Sequence, residues 1–187
     1  MTADRPDWDE YFIELVAAIG RRATCDRGRS GCVIAQDKRI LCTGYVGSPP
    51  GFPHCDDVGH LLGRVIEDDG TERLHCVRTM HAEQNALIQA SKYGIPLSGA
   101  TLYCTMEPCR TCAMMIVSAG ISRVVCAGRY HAGGDTRSIF ATAGIPLDVL
   151  SDEVVTYDRQ GSAGTGSAGS GTASTGTASN GATAPRA

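Results

Sequence analysis

Hydrophobic and polar positions in the first part of the chain predict one helix and one hairpin. Within Asp7–Arg22 the apolar residues recur three and four positions apart, which is the pattern of an amphipathic helix. They are Phe12, Leu15, Val16 and Ile19. Two short apolar runs follow, Gly31–Gln36 and Arg39–Tyr45, and only Asp37 and Lys38 separate them. This spacing predicts two antiparallel strands joined by a tight turn.

Three helices and three strands are predicted in the second half of the chain. In chain order they are the helix His81–Tyr93, the strand Thr101–Thr105, the helix Pro108–Ala119, the strand Ser122–Ala127, the helix Thr136–Ala143 and the strand Pro146–Leu150. The order strand, helix, strand is a βαβ unit, which implies parallel pairing. We therefore predict an α/β fold with a mixed sheet of about five strands and a hairpin at one edge.

Residues 46–80 lack a regular pattern and are rich in Gly, Pro, Asp, His and Cys. We predict a loop here. A loop of this length inside a compact domain needs a functional or metal-binding reason.

The composition changes at Gly161. From Gly161 to Ala187, 24 of 27 residues are Gly, Ser, Ala or Thr. Such a segment has too little apolar surface to offset the entropy lost on ordering, so we predict a disordered tail over 161–187. Residues 1–160 have the usual size of one domain with its own core.

Charge and hydropathy narrow the functional class. Residues 1–160 contain 16 basic and 20 acidic side chains, a formal charge of −4. This charge argues against a general polyanion binder, but it allows a small phosphorylated ligand. No stretch approaches the roughly 18 apolar residues of a membrane span. The first residues also lack the basic and then apolar order of a signal peptide, so we expect a cytoplasmic protein.

The chain has nine cysteines. In a protein without an export signal we expect reduced thiols, some of them bound to metal.

Two short motifs combine into a candidate zinc site, each at the start of a predicted helix. Pro108 suits the first helical position, which places Cys109 and Cys112 on one face of the first turn. The positive end of the helix dipole favours thiolates there. Adding the imidazole of His81 gives three ligands of the kind that zinc prefers, with a fourth position left for water, as in catalytic zinc sites.

Glu83 completes this candidate site. At a helix start its carboxylate can point over the metal without binding it, where it can carry protons between water and substrate. Taken singly, Cys-x-x-Cys can be a redox pair and His-x-Glu carries little information. Together, His81-Ala-Glu83 and Pro108-Cys-Arg-Thr-Cys112 match the signature of the zinc deaminases.

The chain from Trp8 to about Leu150 resembles the cytidylate and deoxycytidylate deaminase branch of the cytidine deaminase superfamily. The resemblance rests on Arg22-Ala-Thr-Cys25, Thr43-Gly-Tyr-Val-Gly-Ser-Pro49, His54-Cys-Asp-Asp57, His75-Cys-Val-Arg-Thr79, His81-Ala-Glu-Gln-Asn-Ala86 and Pro108-Cys-Arg-Thr-Cys112. It implies a three-layer fold with helices on both faces of a five-stranded sheet. It also implies zinc held by His81, Cys109 and Cys112, with Glu83 as the acid and base. We also expect a homo-oligomer.

The substrate loop departs from this family. Many members have Asn in a Gly-Tyr-Asn-Gly loop, where it contacts the nucleotide sugar, and Val46 takes that position here. We predict substrate contacts from Tyr45, Val46 and Gly47. Tyr130, after the fourth strand of the predicted sheet, can stack on the pyrimidine or pack internally. Arg78, Arg110, Arg129 and Arg137 are candidates for a phosphate contact.

A second, structural zinc is predicted in residues 46–80 and the segment after the first helix. The resemblance implies Cys25 and Cys55 as ligands. A four-ligand site would order a loop that cannot build its own core. The preferred set is Cys25, Cys55, His60 and His75, with Cys76 as the alternative to His75. Alternatively, these residues are reduced thiols and solvated imidazoles.

The predicted function is zinc-dependent hydrolytic deamination of a pyrimidine nucleotide, dCMP to dUMP and ammonia, with no stable nucleic-acid partner. One alternative is a deaminase of adenine in transfer RNA or of a riboflavin or pterin precursor; the first of these would favour a basic face. Another is a non-catalytic nucleotide-binding protein or DNA-uptake accessory. Glu83 argues against that class, because such a protein needs no proton carrier beside an open metal position.

Overall fold

The computed structural model describes residues 5–66, 70 and 72–154 of the 187. The helices are α1 (Trp8–Gly20), α2 (Cys55–Val58), α3 (Ala82–Tyr93), α4 (Arg110–Ser118) and α5 (Gly134–Ala143). The strands are β1 (Gly31–Gln36), β2 (Arg39–Tyr45), β3 (Leu62–Ile66), β4 (Glu72–Cys76), β5 (Thr101–Met106), β6 (Arg123–Gly128) and β7 (Leu147–Val149). The predicted tail over 161–187 lies outside the described residues. None of the described helices has the length and apolarity needed to cross a bilayer.

A mixed sheet with the strand order β2-β1-β5-β6-β7 forms the centre of the domain. β1 is antiparallel to both β2 and β5, whereas β5, β6 and β7 are parallel. Asp37 and Lys38 both have positive φ angles, as the tight turn between β1 and β2 requires. The predicted five-stranded sheet with a hairpin at one edge is confirmed.

Helices cover both faces of this sheet. On one face, Phe12 and Val16 of α1 pack against Val33, Tyr103 and Val125. On the other face, a larger core joins α3, α4 and α5 to the sheet. It includes Ala86, Ile116 and Phe140 from the helices and Ile34, Leu102 and Val124 from the strands. Because β1 and β5 alternate between the two cores, both faces are buried.

The prediction of an unstructured loop over 46–80 is wrong in part. This segment contains α2 and the antiparallel hairpin β3–β4, which forms a separate two-stranded sheet. Leu62 and Ile66 of β3 are 44% and 76% exposed. Since these apolar side chains do not face a core, the sequence has no buried alternating pattern that would have marked the strand.

The start of α4 also differs from the prediction. The helix begins at Arg110, and Cys109 is its N-cap, so Pro108 precedes the cap rather than taking the first helical position. The Cys109 carbonyl accepts the first helical hydrogen bond, from the Ala113 N–H at 2.9 Å.

Gly44 allows α3 to pack closely on β2, and its replacement gives the first testable prediction. A Cβ at position 44 would lie 2.6 Å from the Ala86 nitrogen and closer still to the Ala82 carbonyl oxygen. Both are backbone atoms, so Gly44→Ala must push α3 away from the sheet. We expect a loss of about 1–3 kcal/mol in the free energy of unfolding, measured by urea denaturation.

Gly134 provides the matched control, because a Cβ there would meet no atom within 4 Å. We expect Gly134→Ala to leave stability unchanged or to raise it by up to about 1 kcal/mol. Equal stabilities for the two variants would contradict this account of the α3–β2 contact.

Candidate active site

Two helix starts bring His81, Cys109 and Cys112 together. His81 is the N-cap of α3, Cys109 is the N-cap of α4, and Cys112 lies in the first turn of α4. The His81 Nδ1 lies 3.5 Å from the Cys109 Sγ and 3.4 Å from the Cys112 Sγ. The ligand atoms of all three residues lie within 4.8 Å of one another.

These three side chains fit a zinc ion. Tetrahedral zinc holds thiolate sulfur at about 2.3 Å and imidazole nitrogen at about 2.0 Å, which places such ligand atoms about 3.5 Å apart. The distances from the His81 Nδ1 to both sulfurs agree with that value. Three protein ligands leave one position of a tetrahedron for water or substrate, which is the arrangement of a catalytic site.

Glu83 lies beside the three candidate ligands. Its Oε2 is 3.9 Å from the Cys112 Sγ, and the residue is only 7% exposed. Burial raises the pKa of the Glu83 carboxyl above its ordinary value. A carboxyl group with a raised pKa both accepts and returns a proton more readily near neutral pH.

The site also favours a thiolate at Cys109. Hydrogen bonds from Cys112 and His81 lower the pKa of Cys109 to about 4. The hydrogen bond with Cys109 in turn raises the pKa of His81 to about 9. Cys109 therefore offers metal a ligand that is already ionised, whereas His81 must release a proton on binding.

Asn85 holds residues 45–47, the predicted substrate contacts, against α3. Its Nδ2 donates to the Tyr45 carbonyl oxygen at 2.8 Å and to the Gly47 carbonyl oxygen at 3.5 Å. Gly47 also pairs with Met80, the residue before His81. Tyr45, Val46 and Gly47 thus lie next to the start of α3. Sequence reasoning missed this role of Asn85, although its position two residues after Glu83 was a signal.

Glu107 connects the segment before Cys109 to the residues that follow β6. Its side chain is fully buried and lies two residues before Cys109. It accepts hydrogen bonds from the Arg137 Nε at 2.7 Å, the Arg137 Nη2 at 2.8 Å and the Tyr130 N–H at 3.0 Å. Tyr130 is held here by its backbone, and its ring packs on the His131 ring with centroids 4.3 Å apart.

Three of the four arginines predicted for phosphate contact are paired with carboxylates. Arg137 and Arg129 lie against Glu107, and Arg110 lies 3.4 Å from Asp135. Among the described residues, the buried Nε of Arg78 has no hydrogen-bond partner. Arg78 is therefore the candidate that keeps a buried guanidinium nitrogen for a further partner.

Comparison with known proteins supports the zinc interpretation of this site. The family model for the cytidine and deoxycytidylate deaminase zinc-binding region matches residues 6–128, which include the three candidate ligands and Glu83. The chain belongs to this family.

Individual proteins are also similar to this chain in sequence or in structure. The ComE operon protein 2 of Bacillus subtilis is 38% identical over 153 residues, covering 81% of this chain and 76% of the relative. The deoxycytidylate deaminase of Mycobacterium phage D29 is 40% identical over 124 residues, covering 65% of this chain and 94% of the relative. The dCMP deaminase of cyanophage S-TIM5, solved in complex with dCMP and dUMP, has a TM-score of 0.62 at 25% identity, covering 78% of this chain and 98% of that chain.

This deaminase has a second cluster of side chains of the type that could hold a metal ion, formed by Cys25, Cys55, His60 and Cys76. The Cys25 Sγ lies 3.6 Å from the His60 Nδ1, and the Cys55 and Cys76 sulfurs are 3.4 Å apart. The other ring nitrogen of His60 lies 3.0 Å from Asp26. A carboxylate behind a histidine is the usual support of a metal-binding imidazole.

The structure brings Cys76 into this cluster, and His75, the residue preferred from the sequence, is not part of it. Both residues are on β4, where successive side chains point to opposite faces of the strand. Only one of the two can therefore face Cys25 and Cys55. The periodicity was a usable signal, but β4 itself was not predicted.

Proposed function

We propose that this deaminase converts dCMP to dUMP and ammonia by zinc-dependent hydrolysis. The observation that carries the proposal is the buried carboxylate of Glu83 beside three ligands that leave one metal position open. His81, Cys109 and Cys112 would hold the zinc. The deaminase of phage D29 supports the choice of substrate, because the match covers nearly all of that enzyme.

Glu83 performs the proton transfers in this proposal. Zinc, when bound, lowers the pKa of a water molecule from 15.7 towards about 7. Glu83 accepts a proton from the water that adds to C4 of cytosine and delivers it to N3. It then carries the second proton to the exocyclic amine, which leaves as ammonia, and a carbonyl remains at C4. Burial, which raises the pKa of Glu83, suits both the uptake and the return of the proton.

Ammonia release from a panel of substrates tests the proposed function. We expect zinc-loaded protein to act on dCMP with a kcat/KM at least ~100-fold above that for deoxycytidine, because recognition of a charged group discriminates strongly against analogues that lack it. CMP, cytidine and guanine complete the panel, and the wobble-position adenine of a transfer RNA tests the main alternative. A preference for any of these over dCMP would contradict the proposal.

We further propose that Cys25, Cys55, His60 and Cys76 bind a second, structural zinc. Four protein ligands close a tetrahedral site, as structural zinc requires. The cluster joins α2 and β4, elements of only four and five residues, to the segment that follows α1. The support of His60 by Asp26 at 3.0 Å fits a metal ligand with a fixed ring orientation.

We propose that residues 1–160 form the deaminase domain and that the protein is cytoplasmic. All nine cysteines lie in the described residues and are free thiols, which suits a reducing compartment.

We also propose a homo-oligomer. Ile88 of α3 and Met114 of α4 are exposed, and a groove of about 520 Å³ lined by Leu87, Met114 and Met115 lies between the two helices. The molecular mass in solution tests this last proposal.

A further inference from the structure

Burying the carboxylate of Glu107 costs free energy, because a charged group loses its hydration inside a protein. The Glu107 side chain has no exposed surface, whereas that of its partner Arg137 is 47% exposed. A well-packed apolar pair often stabilises a fold as well as a buried ion pair does. Stability alone therefore gives no reason to place an ionised group two residues before the metal ligand Cys109.

Among the described residues, the groups that bind the Glu107 carboxylate come from the segment that follows β6. Arg137 binds both carboxylate oxygens at 2.7 and 2.8 Å, and the Tyr130 N–H binds Oε2 at 3.0 Å. The segment also approaches the carboxylate closely at Gly133, where a Cβ would lie 2.6 Å from Oε2. The carboxylate is therefore held by residues 130–137, which run from the loop after β6 into α5.

Pro108, the residue after Glu107, is also held by the segment that follows β6. The hydroxyl of Thr136, which is fully buried, donates to the Pro108 carbonyl oxygen at 2.7 Å. This carbonyl belongs to the peptide that joins Pro108 to Cys109. Two successive residues before Cys109 are therefore fixed by residues 130–137.

We propose that Glu107 is a positioning residue for the catalytic metal site. It fixes the backbone that carries Cys109 and connects that backbone to residues 129–133, the loop between β6 and α5. Glu107 does not touch the metal or the substrate in this role. Groups that contact a metal ligand without binding the metal typically contribute a factor of about 10–100 in metal affinity. The proposal rests on the proposed function only in taking Cys109 as a zinc ligand.

Metal affinity and the spectrum of the cobalt-substituted protein test the role of Glu107. We expect Glu107→Gln to weaken zinc binding at the catalytic site by about 10–100-fold in a chelator competition. The cobalt protein should show shifted thiolate-to-metal and d–d absorption bands, because the geometry at Cys109 changes. The second cluster contains none of the residues that contact Glu107, so its zinc affinity should not change.

Asp9→Asn is the matched control. Asp9 forms a similar paired contact with Arg123, at 2.9 and 2.8 Å, between α1 and β6. We expect this variant to lose stability without any change in zinc affinity or cobalt spectrum. If Asp9→Asn and Glu107→Gln changed the spectrum equally, or if neither changed it, Glu107 would be only a stabilising residue.

A second variant keeps the test independent of the folding of Glu107→Gln. Thr136→Val removes only the hydrogen bond to the Pro108 carbonyl, and we expect a smaller shift of the same cobalt bands in the same direction. Unchanged bands in Thr136→Val would contradict the proposal. If the wild type bound no metal through Cys109, the proposed function itself would fail, which the wild-type titration shows separately.

Discussion

Replacing Glu83 by Gln is expected to abolish deamination while the protein keeps its fold and its catalytic zinc. Glutamine has nearly the shape of glutamate, so the buried position beside Cys112 can hold it, but an amide cannot carry a proton. General acid–base groups contribute about 10²–10⁴-fold to the rate of a reaction. We expect kcat to fall by at least ~1,000-fold, since this one residue serves both proton transfers.

Steady-state assays together with zinc analysis measure this effect. Glu14→Gln is the matched control, because Glu14 is an exposed residue of α1 and its replacement changes the same functional group. It should retain wild-type activity. If Glu83→Gln kept kcat within tenfold of the wild type while holding its zinc, the assigned mechanism would be wrong.

Changing Cys76 or Cys55 to Ser is expected to reduce the zinc content from about two ions per chain to about one. The catalytic ligands are untouched in both variants, so the remaining ion should be the catalytic one. Stability should fall by several kcal/mol, since the binding free energy of a structural zinc is also folding free energy. Elemental analysis and urea denaturation of protein purified without chelator provide both measurements.

His75→Ala is the control for this prediction. His75 neighbours Cys76 on β4 but is absent from the cluster, so this variant should keep two zinc ions. A single zinc in the wild type and in Cys76→Ser alike would show that the cluster holds no metal. Loss of zinc in His75→Ala, with retention in Cys76→Ser, would restore the ligand set preferred from the sequence.

Elements with a strong local pattern were predictable from the sequence. The strands Gly31–Gln36 and Arg39–Tyr45 have the predicted bounds, because apolar runs separated by a two-residue turn leave few other arrangements. His81, Cys109 and Cys112 were predictable for a similar reason, since each motif lies at the start of a helix. The structure places them within metal-binding distance of one another.

Features that depend on tertiary contacts were not predictable. The hairpin β3–β4 has exposed apolar residues on β3 and therefore no pattern that distinguishes it from a loop. The choice between His75 and Cys76 depends on β4, which was not predicted from the sequence. Glu107 precedes a recognised motif, but its importance comes from Arg137 and Tyr130, which are more than twenty residues away in sequence.

The conversion of dCMP in water labelled with heavy oxygen tests whether this protein deaminates dCMP by hydrolysis. We expect zinc-loaded protein to release one ammonia for each dUMP formed, and each dUMP to carry one labelled oxygen, at C4. Removal of zinc by a chelator should stop the reaction, and added zinc should restore it. If the fully zinc-loaded wild type formed no dUMP, or formed dUMP without label, it would not be a hydrolytic dCMP deaminase.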